Sequence, residues 1–299
     1  MDLTSEIVIR DLFKKHQLRP SKRFGQNFLI DKGVLEKIIE AANLQPEDIV
    51  LEIGPGLGTL TVELAKKVHP VKSLRSKFNG AGKVIAIEKD PKMVEILKET
   101  LKDFQNVEIL QGDILKIPDS KFQILNLDKI VANLPYYIVS PVIRKFLESE
   151  SPPKEMILMV QKEVAERICA EPPDMSLLAV SVQFYTKPEI ISYVPKTSFW
   201  PQPKVDSAII KIIPYPHGRI RILRAEGKGC AFRMLFFKIV KAGFSQPRKQ
   251  ILNNLSKMLK LDKEKVKSWL LKNNIQPTQR AETLSIEDWL KLTKNLNEF

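Results

Sequence analysis

Short continuous apolar runs alternate along the chain with segments whose apolar residues recur at three- and four-residue spacing. A continuous run of four to six apolar residues is typical of a buried strand, and the wider spacing is typical of an amphipathic helix. The predicted strands are 48–53, 83–87, 107–110, 129–132, 155–160 and 207–213. The predicted helices are 5–15, 31–43, 59–67, 141–149 and 161–170, and residues 178–186 and 189–194 predict a further helix or strand pair. This alternation predicts an α/β fold.

The pattern changes after Pro214, where helical periodicity alone continues. The last helices are predicted at 231–244, 250–259, 262–273 and 286–296. Ser285 and Asp288 have the spacing of a capping box at the start of the final helix. Basic loops are predicted at 69–82 and 215–228. We therefore expect two domains, residues 1–214 and residues 215–299, the second one small and helical.

The charge balance adds an expectation about partners. The 299 residues include 48 Lys and Arg against 35 Asp and Glu, a formal net charge of +13. Such an excess favours a polyanionic partner such as RNA, although a generally basic proteome would produce the same balance.

Other classes of protein are disfavoured by the composition. Cys169 and Cys230 are far apart and form no CxxC pair, and the three histidines are scattered, so we expect neither a disulfide framework nor a metal site. No signal-peptide h-region opens the chain and no apolar run approaches ~18 residues, so we expect no membrane span and a cytoplasmic location.

A glycine-rich turn follows the first strand. Gly54, Gly56 and Gly58 have GxGxG spacing, whereas a dinucleotide fingerprint has GxGxxG. An acid, Glu52, stands two residues before the first glycine. This arrangement is typical of a site for S-adenosylmethionine, whose cationic sulfonium replaces the pyrophosphate of a dinucleotide. The alternative is a mere tight turn.

Two further acids end the next strands. Glu88 follows the second strand, where it can accept hydrogen bonds from the ribose hydroxyls of a nucleoside. The alternative role, capping the next helix, suits Asp90 better because Pro91 would be the first helical residue. Asp113 follows the third strand, and it can accept from an adenine amine or cap the following turn.

The fourth strand leads into Asn133, Leu134, Pro135 and Tyr136. The Asn133 side-chain oxygen and the Leu134 carbonyl can each accept one hydrogen of an exocyclic amine, because Pro135 keeps Leu134 extended. The ring of Tyr136 can stack on a flipped-out base, worth ~1–3 kcal/mol. The alternative is a strand that ends in a proline turn with an aromatic plug.

Two more segments are candidates for the same site. Residues 21–29 are basic and contain amides and two phenylalanines, so they predict either a surface loop or a lid over cofactor and RNA. Phe199 and Trp200 precede two prolines. They can supply the second half of a base-stacking sandwich, or they can be ordinary packing residues.

Taken together, these motifs resemble the small-subunit ribosomal RNA adenine dimethyltransferases. The segments that carry the resemblance are 26–29, 52–58, 88, 112–113, 133–137, 159–167, 203–207 and 280–285. They occur in the family's order and cover nearly the whole chain.

The resemblance implies a class I, Rossmann-like methyltransferase with a seven-stranded, mostly parallel sheet and a small helical C-terminal domain. It implies dimethylation of two adjacent adenosines in the 3′-terminal hairpin loop of small-subunit rRNA, within an immature small ribosomal subunit, by a monomer that uses S-adenosylmethionine. The residues expected at the cofactor are Asn27, Leu29, Gly54, Gly56, Glu88, Asp113 and Asn133. Arg248 and Lys249, next to Pro247 in a motif where the family carries two arginines, are expected to contact RNA together with Tyr136 and Phe199.

Two alternatives stay open. One is a large-subunit rRNA adenine methyltransferase of the antibiotic-resistance type, which shares the catalytic half but is disfavoured by residues 280–285. The other is a non-catalytic RNA-binding assembly factor. An intact Glu88 and an intact motif at 133–136 disfavour it, because a pure binding protein would not need them.

Overall fold

A computed structural model describes residues 1–69, 82–120, 122, 126–215 and 229–296. Most of the two predicted basic loops, 69–82 and 215–228, therefore lies outside the described residues. The strands are β1 (Phe28–Leu29), β2 (Ile49–Ile53), β3 (Lys83–Glu88), β4 (Val107–Gln111), β5 (Lys129–Asn133), β6 (Glu155–Gln161), β7 (Thr186–Val194), β8 (Phe199–Trp200) and β9 (Ser207–Pro214).

The described helices follow the predicted periodicity closely. They are α1 (Glu6–Lys15), α2 (Lys32–Ala42), α3 (Thr59–Lys67), α4 (Pro91–Thr100), α5 (Val139–Glu148), α6 (Lys162–Ile168), α7 (Leu177–Gln183), α8 (Gly229–Gly243), α9 (Ile251–Leu259), α10 (Lys263–Lys272) and α11 (Ile286–Lys294). One predicted start was wrong. A 3₁₀ turn at Tyr136–Ile138 runs directly into α5, so Pro141 is not its first residue. Proline is tolerated there because the first-turn N–H has no helical partner.

Seven strands form one sheet in the order β4-β3-β2-β5-β6-β9-β7. β2 pairs in parallel with β3 and β5, whereas β6 and β9 are antiparallel. The predicted α/β class and the seven-stranded, mostly parallel sheet are confirmed. The chain winds outward from β2 to β4 and then returns to place β5 on the other side of β2. This reversal is a topological switch point, and ligands of such sheets bind beside it at the carboxyl ends of the strands.

The described chain divides into two compact units, residues 1–165 with 189–214 and residues 166–188 with 215–299. One boundary between these units falls after Pro214. Residues 166–188, which we expected in the first domain, cluster instead with the second unit. The division of function between residues 1–214 and 215–299 stays a prediction.

The first unit is built around the buried faces of its central strands. Val50, Val84 and Val131 have no exposed surface, and α2 and α3 cover them with Ile38 and Leu64. Continuous burial on both faces explains why these strands carry no alternating pattern in the sequence.

The second unit has its own helical core, centred on two buried tryptophans. Trp269 donates from Nε1 to the Leu292 carbonyl at 3.2 Å, which ties α10 to α11. Trp289 is fully buried beside Gly243, where a side chain would collide with the indole. The predicted capping box is present, since Ser285 Oγ accepts from the Asp288 N–H and Asp288 accepts from the Ser285 N–H.

Candidate active site

The glycine-rich turn leaves β2 at the switch point. Gly54, Gly56 and Gly58 have φ of 71°, 60° and 90°, a region that side chains disfavour, so the sequence needs glycine there. The Gly54 N–H donates to the Ile87 carbonyl at 2.9 Å, which holds the turn against β3. The turn therefore presents bare backbone to the cleft at the start of α3.

Glu88 ends β3 and faces the same turn. Its Oε2 accepts from the Gly56 N–H at 3.1 Å and its Oε1 accepts from the Asp90 N–H at 2.8 Å. Asp90 caps α4 by accepting from the Lys92 N–H, as the proline at the next position predicted. Glu88 thus has no capping role, and both of its oxygens keep a lone pair for a further donor.

A second carboxyl group, Glu52, lies deeper in the same cleft. It is 2% exposed, and its Oε2 has no hydrogen-bond partner. Burial raises the pKa of Glu52 to about 8, and the Glu88 carboxylate adds to the rise. Burial also raises the pKa of Glu88, while its backbone donors oppose the rise. A cationic ligand would favour the ionised form of both buried carboxyl groups, so the cleft suits such a ligand.

Asp113 stands on the rim beyond β4. Its Oδ1 accepts from the Leu115 N–H at 3.0 Å, which caps the local turn, and its Oδ2 pairs with Lys89 Nζ at 2.9 Å. The Lys89 ammonium holds the pKa of Asp113 below its ordinary value. Asp113 therefore caps the turn and also lines the cleft. Turn capping and acceptance from an adenine amine are compatible roles.

The motif after β5 forms the opposite wall. The Asn133 Nδ2 donates to the Asn27 carbonyl at 3.3 Å, which commits the donor end of the amide and leaves Oδ1 as an acceptor. The Leu134 N–H donates to the Met159 carbonyl, anchoring the strand end, and Pro135 has φ −54° and ψ 128°. The backbone is therefore extended at Pro135 itself, and the extended conformation of Leu134 stays a prediction.

The Tyr136 ring is held by a side chain of β9. Its hydroxyl hydrogen-bonds Ser207 Oγ at the start of β9, with 2.9 Å between the oxygens. Burial raises the pKa of the Tyr136 hydroxyl. Sequence reasoning missed this partner, because 71 residues separate the two side chains and no local pattern links them.

The segment before α2 also lines the cleft. β1 and β8 form a two-stranded antiparallel ribbon in which Leu29 pairs with Phe199 and Phe28 with Trp200. Asn27, Leu29 and Phe199 line the cleft, although Phe199 is only 3% exposed. Trp200 packs against Phe13 of α1, with 5.8 Å between the ring centroids. Trp200 is therefore a packing residue.

The cleft thus brings together every expected cofactor residue. These are Asn27, Leu29, Gly54, Gly56, Glu88, Asp113 and Asn133, together with Leu134, Pro135, Tyr136 and Phe199. Arg248 and Lys249 belong to the other unit, where both are exposed in the turn between α8 and α9. Gln26 was missed as a support for residues 21–29: its amide donates to Asp90 Oδ2 at 2.8 Å and accepts from the Ser21 N–H.

Comparison with known proteins identifies the family. The family model for ribosomal RNA adenine dimethylase matches residues 17–298. The chain belongs to this family. As a ribosomal RNA adenine dimethylase, it is an enzyme that depends on S-adenosylmethionine, as the motif order predicted.

Curated relatives of this dimethylase match over nearly full length. The ribosomal RNA small subunit methyltransferase A of Alkaliphilus metalliredigens is 42% identical over 302 residues, covering 98% of each chain. The protein of the same name from Dehalococcoides mccartyi strain CBDB1 is 45% identical over 286 residues, covering 95% of this chain and 90% of the relative.

Two solved structures also match most of the chain. A dimethyladenosine transferase from Plasmodium falciparum has a TM-score of 0.69 and 30% identity, covering 90% of this chain and 97% of that one. The 23S rRNA methyltransferase ErmE has a TM-score of 0.68 and 26% identity, covering 91% and 100%.

The cleft fits the family's cofactor. Three features of the cleft suit a nucleoside that carries positive charge. They are the close backbone approach at Gly54 and Gly56, the acid Glu88 beside them, and the Glu52 oxygen that has no hydrogen-bond partner. Across the described ranges, no group of three or more His, Cys, Asp or Glu side chains is arranged to hold a metal ion. In the same ranges, no helix has the length and apolar character needed to cross a bilayer.

Proposed function

We propose that this dimethylase transfers two methyl groups to the exocyclic amine of each of two adjacent adenosines in the 3′-terminal hairpin loop of small-subunit rRNA. The observation that carries the proposal is the orientation of Asn133. Its amide donates to the Asn27 carbonyl, so its Oδ1 is the atom left to accept from a bound amine. The names of the near-full-length relatives support the small subunit as the substrate.

The chain's own residues supply the grip on the target amine. Asn133 Oδ1 and the Leu134 carbonyl each accept one amine hydrogen, which favours a pyramidal nitrogen with its lone pair aimed at the methyl donor. S-adenosylmethionine supplies that electrophilic methyl group. Orientation and electrostatic stabilisation are then sufficient, because a nitrogen that has gained positive charge loses its proton readily to water.

The ring of Tyr136 holds the flipped base. The hydrogen bond to Ser207 fixes the ring plane, so the face that lines the cleft is presented to the base at little further cost in entropy. Phe199 closes the wall on the other side. Because the stacking is carried by the ring, the hydroxyl of Tyr136 matters mainly for orientation.

Around the nucleoside, each predicted cofactor residue has a specific role. Glu88 accepts from the ribose hydroxyls with its remaining lone pairs, and Asp113 accepts from the adenine amine. The backbone of Gly54 and Gly56 approaches the methionine portion, and Asn27 and Leu29 cover it from the lid.

We extend the proposal to the enzyme's partner and location. The substrate is the immature small subunit, and the enzyme acts as a monomer in the cytoplasm. Arg248 and Lys249 contact RNA phosphates from the helical unit. Replacing either with Ala should lower the slope of log affinity against log salt by ~1, whereas Lys98→Ala, on α4 and paired with Glu95, should leave it unchanged.

The decisive experiment is transfer of labelled methyl groups to purified subunits. Small subunits that lack these methyl groups and, in parallel, large subunits are incubated with the enzyme, and the modified nucleotides are mapped. We expect two dimethylated neighbouring adenosines in the small subunit and none in the large one. Label only in the large subunit would instead favour the activity named for ErmE, whose fold matches equally well.

A further inference from the structure

Next to the Tyr136 ring stands a second tyrosine that the chemistry described above does not use. Tyr137 is 56% exposed, although it occupies the same 3₁₀ turn as Tyr136 and lines the same cleft. An exposed aromatic ring contributes little to the core, so packing does not account for it. The ring lies at the mouth of the cleft rather than in its depth.

The side chains of Tyr136 and Tyr137 contact different parts of the structure. The Tyr136 hydroxyl bonds Ser207 at the start of β9, while the Tyr137 ring lies beside Gly25 in the lid. A Cβ built on Gly25 would be 3.8 Å from Tyr137 Cε1 and 3.5 Å from Pro135 Cβ. One ring is thus inside the cleft and the other is on its rim, in consecutive positions of the chain.

Two exposed cations belong to the segments that form this part of the cleft. Lys89 is exposed and lines the cleft, where it is paired with Asp113 at 2.9 Å, and the exposed Arg23 directly precedes the cleft residues Phe24 and Gly25. The Arg23 guanidinium lies 5.8 Å from the centre of the Phe24 ring. Exposed aromatic faces among cations are the combination with which proteins bind single-stranded RNA, through base stacking and phosphate neutralisation.

We propose that Tyr137 is a stacking platform for the base next to the flipped adenosine. This inference rests on the proposed function and adds a subsite to it. When one of two adjacent adenosines occupies the cleft, the neighbouring base stacks on Tyr137 while Lys89 and Arg23 neutralise the phosphate that joins the two nucleosides. The ligand of the subsite is therefore a single-stranded RNA base.

The test separates RNA positioning from folding and from cofactor binding. In Tyr137→Ala, KM for undermethylated small subunits should rise about tenfold or more, since stacking is worth ~1–3 kcal/mol per base. The rate at saturating subunits and the calorimetric Kd for S-adenosylmethionine should change by less than about twofold. Tyr137→Phe, which keeps the ring, should recover most of the lost affinity.

Tyr193→Ala is the matched control. Tyr193 is 52% exposed on β7, packs against Lys162 and does not line the cleft. If Tyr137→Ala has the same KM as Tyr193→Ala, or weakens the cofactor as much as it weakens RNA, the inference is wrong. If the wild-type enzyme transfers no label to small subunits, the proposed function has failed first, and the two failures are thereby distinguished.

Discussion

Replacing Glu52 with Gln should change how stability depends on pH. The carboxyl group is 2% exposed, one of its oxygens has no partner, and burial raises its pKa from 4.5 to about 8. Between these two values the folded protein binds a proton that the unfolded chain has released. The free energy of unfolding must therefore fall as pH rises through this window.

The size of the effect follows from the single proton involved. A difference of one bound proton gives a slope of up to ~1.4 kcal/mol per pH unit, so a few kcal/mol should be lost between pH 5 and pH 8. The side chain introduced by Glu52→Gln cannot ionise. The free energy of unfolding of this variant should therefore fall less steeply with pH, by up to ~1.4 kcal/mol per pH unit. The absolute stability of the variant is a poor measure, because the introduced amide also lacks a partner.

Urea unfolding of the cofactor-free protein at half-unit steps of pH measures the slope directly. Subtracting the variant from the wild type cancels the titrations that the two proteins share. Saturating S-adenosylmethionine should flatten the wild-type slope, since a cation in the cleft favours the ionised carboxylate. Parallel curves for the two proteins without cofactor would refute the reasoning and show that Glu52 is ionised in the folded state.

Three other variants test the site and the helical unit, and a fourth, Gly33→Ala on α2, is a control for the glycine replacement. Asn133→Ala should slow both methyl transfers about a hundredfold in single-turnover assays with RNA still bound, by analogy with losing one oxyanion donor; near-normal rates would make the side chain structural. Glu88→Ala should weaken cofactor binding by ~1.5–3 kcal/mol per lost charge-assisted hydrogen bond, as measured by calorimetry. Gly243→Ala places a Cβ 2.3 Å from the Trp289 ring, so thermal unfolding should show a loss of ~1–3 kcal/mol. Gly33→Ala meets only an ordinary 3.4 Å contact and should be neutral or slightly stabilising.

The sequence by itself determined the order and type of the elements. Helix α3 lies at the predicted bounds, and strands β3 and β4 end one residue beyond theirs. Burial on both faces of a strand leaves a continuous apolar run in the chain, burial on one face of a helix leaves a periodic pattern, and a turn at positive φ leaves a glycine. These signals are local, so a linear sequence carries them intact.

The partners that orient the site were decided by the tertiary structure. Asn27 and Asn133 are 106 residues apart, and no local pattern records that the Asn133 side chain at the end of β5 donates to the Asn27 carbonyl. Lys129 is a second example. From the sequence alone it is only the polar first residue of a predicted strand. In the fold it is 8% exposed and donates to the carbonyls of Ala42 and Asn43 at 2.6 and 2.7 Å.

The same distinction, between a local pattern and long-range packing, explains why residues 166–188 belong to the second unit. Their helical pattern was read correctly at α6, but which unit they join depends on long-range packing. α7 lies against α8 of the second unit, with the rings of Phe184 and Phe236 4.3 Å apart. Periodicity records that a face is buried and does not record what buries it. That choice depends on the summed packing of side chains distant in the chain, which only the folded structure settles.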